Sequence, residues 1–302
     1  LDLSGNGITA VGAAGLLLAL AACDRGRPPA GFASPAAPAL FEIAGPGGAV
    51  EGWLFGTIHS LPGGVSWETE TLADALAAAD VLVVEVRDLE DGAALRRAFE
   101  RRAYSAPRPP LAERVPPSLR PRLESLMAEG SMPAGALDRM ETWAAALTLA
   151  QLGQTGKAEN GVDRALVRRM GAGAVVELEG AGAQLDIFDR LPEREQRDLL
   201  AAVIADLADR QAGSQGNAAR WYRGDIGQLA DPATSAILAD PELRDALYAG
   251  RNRDWAGRLA AMLDEAPRPF VAVGAAHLAG EDGLPALLRR RATGQGAEIR
   301  VP

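Results

Sequence analysis

Residue types that often build functional sites are scarce in this 302-residue chain, which has one cysteine and two histidines. A single cysteine excludes an internal disulfide and a cysteine-based zinc site. Lysine and arginine are also outnumbered, at 31 against 40 aspartates and glutamates, for a net charge of −9. Because nucleic acid requires a basic face, this balance argues against a nucleic-acid partner. The length permits a full core in one large domain or two smaller ones.

The two histidines occur in the same local context. Each follows an apolar run that predicts a strand, with a glycine three positions before it; these are residues 53–55 with Gly56 and His59, and residues 269–273 with Gly274 and His277. A strand that ends in a glycine turn brings the next side chains to the carboxyl edge of a sheet, where ligands bind in α/β folds. Imidazole is a common metal ligand and a proton-transfer group. Two unrelated core or surface histidines are the alternative, but the repeated context favours a shared site.

Glu85 is the third candidate site residue. It ends the apolar, β-branched run 81–84, which is typical of a strand buried on both faces. A strand at residues 49–58, a helix at 69–79 and this strand predict a βαβ unit with parallel strands. We therefore expect Glu85 and His59 at the same sheet edge. The structural alternative is an ion pair of Glu85 with Arg87 or another arginine.

The rest of the chain predicts an α/β fold. Two strand–helix–strand halves form a mostly parallel central sheet, and proline-punctuated helices at about residues 90–170 form an insertion or cap between them. Glu177 and Glu179 share one face of a strand at 174–179, so either residue reaches the site or faces solvent. A long helix at 242–263 carries Arg251 and Asn252. These two residues are expected to bind a substrate oxyanion, to brace a carboxylate, or to belong to a surface cluster.

The amino terminus has the features of an export signal. Residues 8–22 are small and apolar, too few to span a bilayer comfortably, and the end of this run, Leu20-Ala21-Ala22-Cys23, looks like a bacterial lipobox. We therefore expect a signal peptide of lipoprotein type at 1–22, lipidated Cys23, a Pro/Ala-rich tether at 23–40 and one domain at 41–302. The protein would then be anchored by lipid to the membrane of the bacterial cell envelope, facing the periplasm or the exterior. A buried or disordered apolar helix is the alternative.

From about residue 41 to 301 the chain resembles the TraB/PrgY/GumN family, related to the Tiki metalloproteases and to erythromycin-esterase/ChaN-like folds. The motifs that carry the resemblance are, in order, Leu54-Phe55-Gly56-Thr57-Ile58-His59, Val83-Val84-Glu85, Gly161-Val162-Asp163, Leu178-Glu179 with Gln184, Trp221-Tyr222-Arg223-Gly224-Asp225, Arg251-Asn252, and residues 270–278. Gly250 stands where the family often has a glutamate, so any role of that acid is missing here.

The resemblance implies a metal-dependent hydrolase with a peptide or protein substrate. A divalent ion, Mn²⁺ or Co²⁺ in preference to Zn²⁺, would be held by His59, His277 and Glu85. Glu179 is the reserve for a ligand or general-base role. Two further classes remain open: a non-catalytic protein that captures a secreted peptide or pheromone, and a metal-free, esterase-like hydrolase in which a histidine activates water.

Overall fold

A computed structural model describes residues 29, 31–105, 107–153, 156–211, 216–264, 268–292 and 298–302. The predicted signal peptide and Cys23 lie outside the described residues. The described chain forms a six-stranded sheet in the order β4-β3-β5-β2-β1-β6. Its strands are β1 (Leu40–Ala44), β2 (Val50–Thr57), β3 (Val81–Val84), β4 (Val175–Glu177), β5 (Pro269–Gly274) and β6 (Glu298–Arg300).

The sheet is mostly parallel, as the sequence predicts. β2, β5, β3 and β4 pair in parallel, whereas β1 pairs antiparallel with β2 on one side and with β6 on the other. β3 and β5 lie in the interior, and nearly every residue of each is buried. That burial explains their continuous apolar sequences, because helices or loops cover both faces. β5 lies between the two strands of the predicted βαβ unit, β2 and β3.

The helices fall into a set around the sheet and a set that forms the cap. The α-helices are α1 (Glu70–Ala78), α2 (Gly92–Ala103), α3 (Arg120–Glu129), α4 (Thr142–Ala150), α5 (Val162–Met170), α6 (Ala181–Asp189), α7 (Glu193–Gln211), α8 (Asn217–Tyr222), α9 (Ile226–Leu229), α10 (Ala236–Ala239), α11 (Pro241–Arg244), α12 (Gly250–Asp264) and α13 (Leu284–Ala292). No helix in the described part of the chain is long and apolar enough to cross a membrane.

The cap has a hydrophobic core of its own, centred on Trp143. This indole is fully buried and packs against Phe99 and Phe188, with ring centroids 5.5 Å and 6.2 Å away. The same core contains apolar residues of α2, α3, α4 and α7. The cap therefore differs from the predicted insertion at about 90–170 in which helices pack together. α5 packs on the sheet through Val162 and Leu166, and α7 joins the cap because its apolar face packs on α4.

The carboxyl-terminal part of the predicted tether packs against the domain. Residues 31–39 lie against the domain, where the buried Phe32 ring meets Tyr222 edge-on at 5.1 Å. The amide of Ala37 donates to the Tyr222 carbonyl (2.8 Å), and the amide of Gly56 donates to the Ala39 carbonyl (3.0 Å). These contacts fix the backbone immediately before β1, so the domain begins earlier than residue 41.

Candidate active site at the carboxyl edge of the sheet

The two Gly-x-x-His motifs leave the sheet side by side. Because β2 and β5 are adjacent and parallel, Thr57 pairs with Gly274, and both chains continue past the same edge. β3 lies on the other side of β5, with Val84 paired to Ala272, so Glu85 emerges at this edge as well. The predicted common edge for Glu85 and the histidine motifs is confirmed. Because β5 pairs directly with β2, the two motifs are neighbours in the sheet although they are far apart along the chain.

Gly56 is required where the two motifs meet. A Cβ atom at this position would lie 2.9 Å from the Cβ of Ala275, which is closer than real Cβ contacts. The Gly56 carbonyl also accepts a hydrogen bond from the buried indole of Trp221, at 2.7 Å. The glycine in the first motif therefore serves close packing of the second motif against the first.

The side chain that holds His59 is the carboxylate of Asp163, for which the sequence predicts no role. The Nδ1 atom of His59 lies 2.6 Å from Oδ2 of Asp163, at the start of α5. The His59 side chain is 67% exposed, whereas that of Asp163 is 9% exposed. The hydrogen bond and charge of Asp163, with help from Glu85, outweigh desolvation and raise the pKa of His59 to about 9. The Nε2 atom has no hydrogen-bond partner among the described residues. Asp163 was missed because it lies 104 positions from His59.

His277 is buried and held on both of its nitrogens. Nδ1 lies 2.6 Å from Oδ1 of Asn252, and Nη1 of Arg251 lies 3.3 Å from Nε2. The ring packs against Trp255 and Tyr248 at 4.6 Å and 5.6 Å between centroids. Because an amide oxygen only accepts and a guanidinium only donates, Nδ1 carries the proton and Nε2 the lone pair. Burial lowers the pKa of His277 to about 4, so the ring is neutral at pH 7.

Glu85 is surrounded by donors. Oε1 accepts from the Gly274 amide at 2.7 Å, and Oε2 accepts from Gln184 at 3.0 Å and from Arg251 at 2.7 Å. Burial by itself would raise the pKa of Glu85, but His277, Arg251, His59 and the Gly274 amide together lower it to about 2. The residue is therefore an anion over the whole physiological range. An acid so reluctant to take a proton suits the role of ligand better than that of general base.

Arg251 braces two carboxylates, which was one of the alternatives left open by the sequence. Its Nε and Nη2 donate to the two oxygens of Glu179 at 2.9 Å and 2.8 Å, and Nη2 also reaches Glu85. Trp255 donates to Glu179 at 3.1 Å and lies under the guanidinium. Glu179 is therefore an ion-pair partner of Arg251 and a hydrogen-bond acceptor of Trp255. Glu177 turns away and accepts from the Arg87 amide at 3.2 Å.

Asn252 makes hydrogen bonds inside the protein, whereas an oxyanion contact is one of the roles that its sequence context predicts. The residue is fully buried, and its amide nitrogen donates to the carbonyl of Asp282 at 2.7 Å while its oxygen faces His277. The amide nitrogen and the amide oxygen of Asn252 both have partners inside the protein, so neither atom is available to a substrate. Asn252 instead sets the orientation of the His277 ring.

The predicted long helix at 242–263 contains a wider turn just before these residues. Between α11 and α12, residues Asp245–Ala249 form a π-helical turn. This turn brings the Asp245 carbonyl oxygen to 2.7 Å from the place that a Cβ on Gly250 would take. A glutamate at position 250 would collide with that backbone. A residue without a side chain at position 250 therefore leaves room for the turn that leads into Arg251 and Asn252. π-Helical turns of this kind occur frequently at functional sites.

The predicted metal ligands fit a divalent ion by their chemistry, but they are not gathered around one point. Within the described ranges, the only histidine or acidic group of three with ligand atoms within 4.8 Å of one another is Glu195, Asp240 and Glu242. At the sheet edge, two Nε2 atoms and one ionised carboxylate are present, and Arg251 contacts both His277 and Glu85. His59, Glu85, Asp163 and Gln184 also line a small cavity of about 30 Å³, enough for one water or ion.

Fold and site together define a capped α/β protein with a polar, histidine-containing site at the carboxyl edge of a mostly parallel sheet. The family model described as the TraB/PrgY/gumN family matches residues 39–293. The chain belongs to this family. No curated protein and no solved structure matches the chain significantly.

Proposed function

We propose that this protein is a metal-dependent hydrolase of peptides or proteins, with its divalent ion held by His59, Glu85 and His277. The ligand atoms of these three residues have to move closer together to share one ion, since they do not all lie within 4.8 Å of one another. The observation that carries the proposal is the way in which both imidazoles are anchored. Each Nδ1 lies 2.6 Å from a side-chain oxygen, of Asp163 in one case and of Asn252 in the other. Metal-binding histidines are usually held in this way, with the second nitrogen free for the ion.

The remaining residues support the ligands. Asp163 fixes the His59 ring, and Asn252 fixes the His277 ring. Arg251 holds Glu85 and Glu179 in place. For His277 to serve as a ligand through Nε2, Nη1 of Arg251 would have to give up its contact with that nitrogen at 3.3 Å. The guanidinium can do so without losing Glu179, because that pair uses Nε and Nη2.

Nitrogen and carboxylate donors together are compatible with Mn²⁺ or Co²⁺, the ions that the family resemblance favours, and with Zn²⁺. When bound, such an ion lowers the pKa of its water toward ~7 and polarises a carbonyl group. Glu85 remains ionised beside it. The choice of a peptide or protein substrate rests on the family resemblance, not on the shape of the site.

The test is metal analysis of the purified full chain after loading and dialysis, with peptide cleavage followed by mass spectrometry. We expect about one tightly bound ion in the wild type and loss of that ion in His59→Ala and in His277→Ala. The exposed Arg253→Ala variant, next to Asn252 on α12, is the matched control and should keep the ion. Equal and trivial metal in the wild type and both histidine variants would overturn the proposal.

A metal-free hydrolase is the second candidate, because an exposed imidazole backed by a buried carboxylate also suits proton transfer. In that case turnover survives chelation, is lost in His59→Gln and persists in His277→Gln. If the family's pheromone-binding role applies instead, peptide affinity survives chelation and mass spectrometry finds no product.

We also propose lipidation of Cys23 and attachment to the bacterial cell envelope. The support is the lipobox-like sequence that precedes the cysteine. Expression in a bacterial host with a radiolabelled fatty acid tests it. Label should enter the wild type and be absent from Cys23→Ser, whereas equal labelling of both, or of neither, would refute the assignment.

A further inference from the structure

A second group of acidic side chains lies away from the sheet edge, where the cap meets the start of the segment that leads to Arg251. Glu195 is in the first turn of α7, Asp240 directly precedes α11, and Glu242 is within α11. One ligand atom from each lies within 4.8 Å of the others. An ion with oxygen ligands at about 2.4 Å would accept donors separated by up to about 4.8 Å, so this spacing matches a shared cation.

The burial of Glu195 is the independent reason to expect a ligand. The residue is only 5% exposed, and its Oε2 atom is buried without a hydrogen-bond partner among the described residues. A buried carboxylate oxygen without a donor is costly, and an absent water or ion is a usual explanation. The ionised carboxylates of Asp240 and Glu242 only accept hydrogen bonds, so they cannot donate one to Glu195.

One arginine partly balances the three carboxylates. Arg194 contacts Oε1 of Glu195, and its Nη2 lies 3.8 Å from Oε1 of Glu242. Its side chain is 70% exposed, and its Nη1 lies 3.8 Å from the carboxylate of Asp198. An exposed arginine is a weakly held partner, and one positive charge leaves two of the three negative charges without balance.

We propose that Glu195, Asp240 and Glu242 bind a calcium-like divalent cation that links α7 of the cap to α11. The donor set contains oxygen alone, which favours Ca²⁺ over the transition metals suited to imidazole. Asp240 also accepts from the Leu243 amide through Oδ1 at 2.9 Å, so its position is already fixed by the α11 backbone. The cation would hold the cap against the segment that continues into the π-helical turn and α12.

The experiment uses the full chain in a His59→Ala/His277→Ala background, so that the sheet-edge site contributes no imidazole ligand. Calorimetric titration and thermal unfolding with CaCl₂, with MgCl₂ as the comparison, measure binding. We expect saturable Ca²⁺ binding and a higher Tm, with affinity about tenfold weaker or worse in Glu195→Gln and in Glu242→Gln. Asp198→Asn is the matched control, because Asp198 contacts the same arginine but lies outside the group of three.

Arg194→Gln separates a cation site from a simple arginine pair. Removing the competing guanidinium should strengthen Ca²⁺ binding several-fold, because the carboxylates then have no other cation. No Ca²⁺ binding in the parent background and in Arg194→Gln would overturn the proposal. So would unchanged affinity in Glu242→Gln, an exposed position where the substitution leaves the fold intact even if Glu195→Gln does not fold.

Discussion

The clearest single perturbation of the sheet-edge site is Asp163→Asn, which keeps the shape of the side chain and removes its charge. In the metal-free wild type, Asp163 is the main cause of the raised pKa of His59, about 9, whereas burial lowers that of His277 to about 4. In Asp163→Asn we expect the pKa of His59 to fall toward its ordinary value of 6.5. The pKa of His277 should remain near 4, because Asp163 does not contribute to it.

Only two histidines are present, so the assay is direct. Long-range ¹H–¹⁵N correlation spectra of chelator-treated protein give one set of imidazole signals per residue, and His59→Ala assigns them. At pH 7, His59 should be doubly protonated and His277 neutral with its proton on Nδ1. Two rings that both titrate near pH 6.5 in the wild type would refute the electrostatic description of the site. An unchanged midpoint for His59 in Asp163→Asn would refute the role of Asp163.

The same substitution should change the pH dependence of stability. The pKa of His59 is raised in the folded state, so its contribution is fully present below pH 6.5 and is lost as the pH rises through about 9. The Tm of the wild type should therefore fall across this window, and that of Asp163→Asn should fall less. The exposure of His59 makes the effect small. Between pH 6.5 and 4 both proteins should lose stability as the pH falls, because His277 takes up a proton more readily when unfolded.

Gly56→Ala should lower the free energy of unfolding by about 1–3 kcal/mol through overpacking, because the added methyl meets Ala275 at 2.9 Å. Denaturant melts measure the loss, with Gly47→Ala as the control because the space around Gly47 is open. Equal losses in the two variants would contradict the close packing of the motifs. Trp143→Ala should lower the free energy of unfolding by about 3–5 kcal/mol in the same melts, because the indole lies at the centre of the cap core. A loss below about 1 kcal/mol would mean that the cap core is not packed in this way. Asn252→Ala should weaken metal binding about 10- to 100-fold in a calorimetric titration, whereas Arg253→Ala should not, and identical affinities would remove Asn252 from the support of His277.

The edge of the sheet was predictable, and the order of the strands was not. An apolar run followed by Gly-x-x-His shows that a strand ends and a polar group follows, and parallel strands end at a common edge. Nothing local in residues 269–273 specifies that β5 lies between β2 and β3. The pairing of Thr57 with Gly274 depends on long-range packing. The sequence therefore predicts both motifs at one edge and in one site, but it does not specify that β2 and β5 pair directly.

Roles that depend on one long-range contact were the least predictable. Asn252 was expected to bind an oxyanion, to brace a carboxylate or to belong to a surface cluster, because four consecutive polar residues on a helix cannot all face solvent. Its burial and its contact with His277 come from the way α12 packs on the segment after β5. In the same way, the apolar spacing in residues 193–210, with Leu199, Val203 and Leu207 on one face, predicts an amphipathic helix with a buried face. It does not specify whether the sheet or the cap covers that face.

The charges at the sheet edge connect proton binding with metal binding. Glu85, Glu179 and Asp163 are negative and each side chain is about one-tenth exposed, while Arg251 supplies one fixed positive charge. With both imidazoles neutral, two negative charges are unbalanced, and one proton on His59 removes only one of them. A divalent ion that replaces this proton balances both, which matters because an unbalanced buried charge is costly. The field that raises the pKa of His59 to about 9 is thus the field that would attract a cation. Loss of the Asp163 charge should therefore weaken binding of the proton and of the metal together.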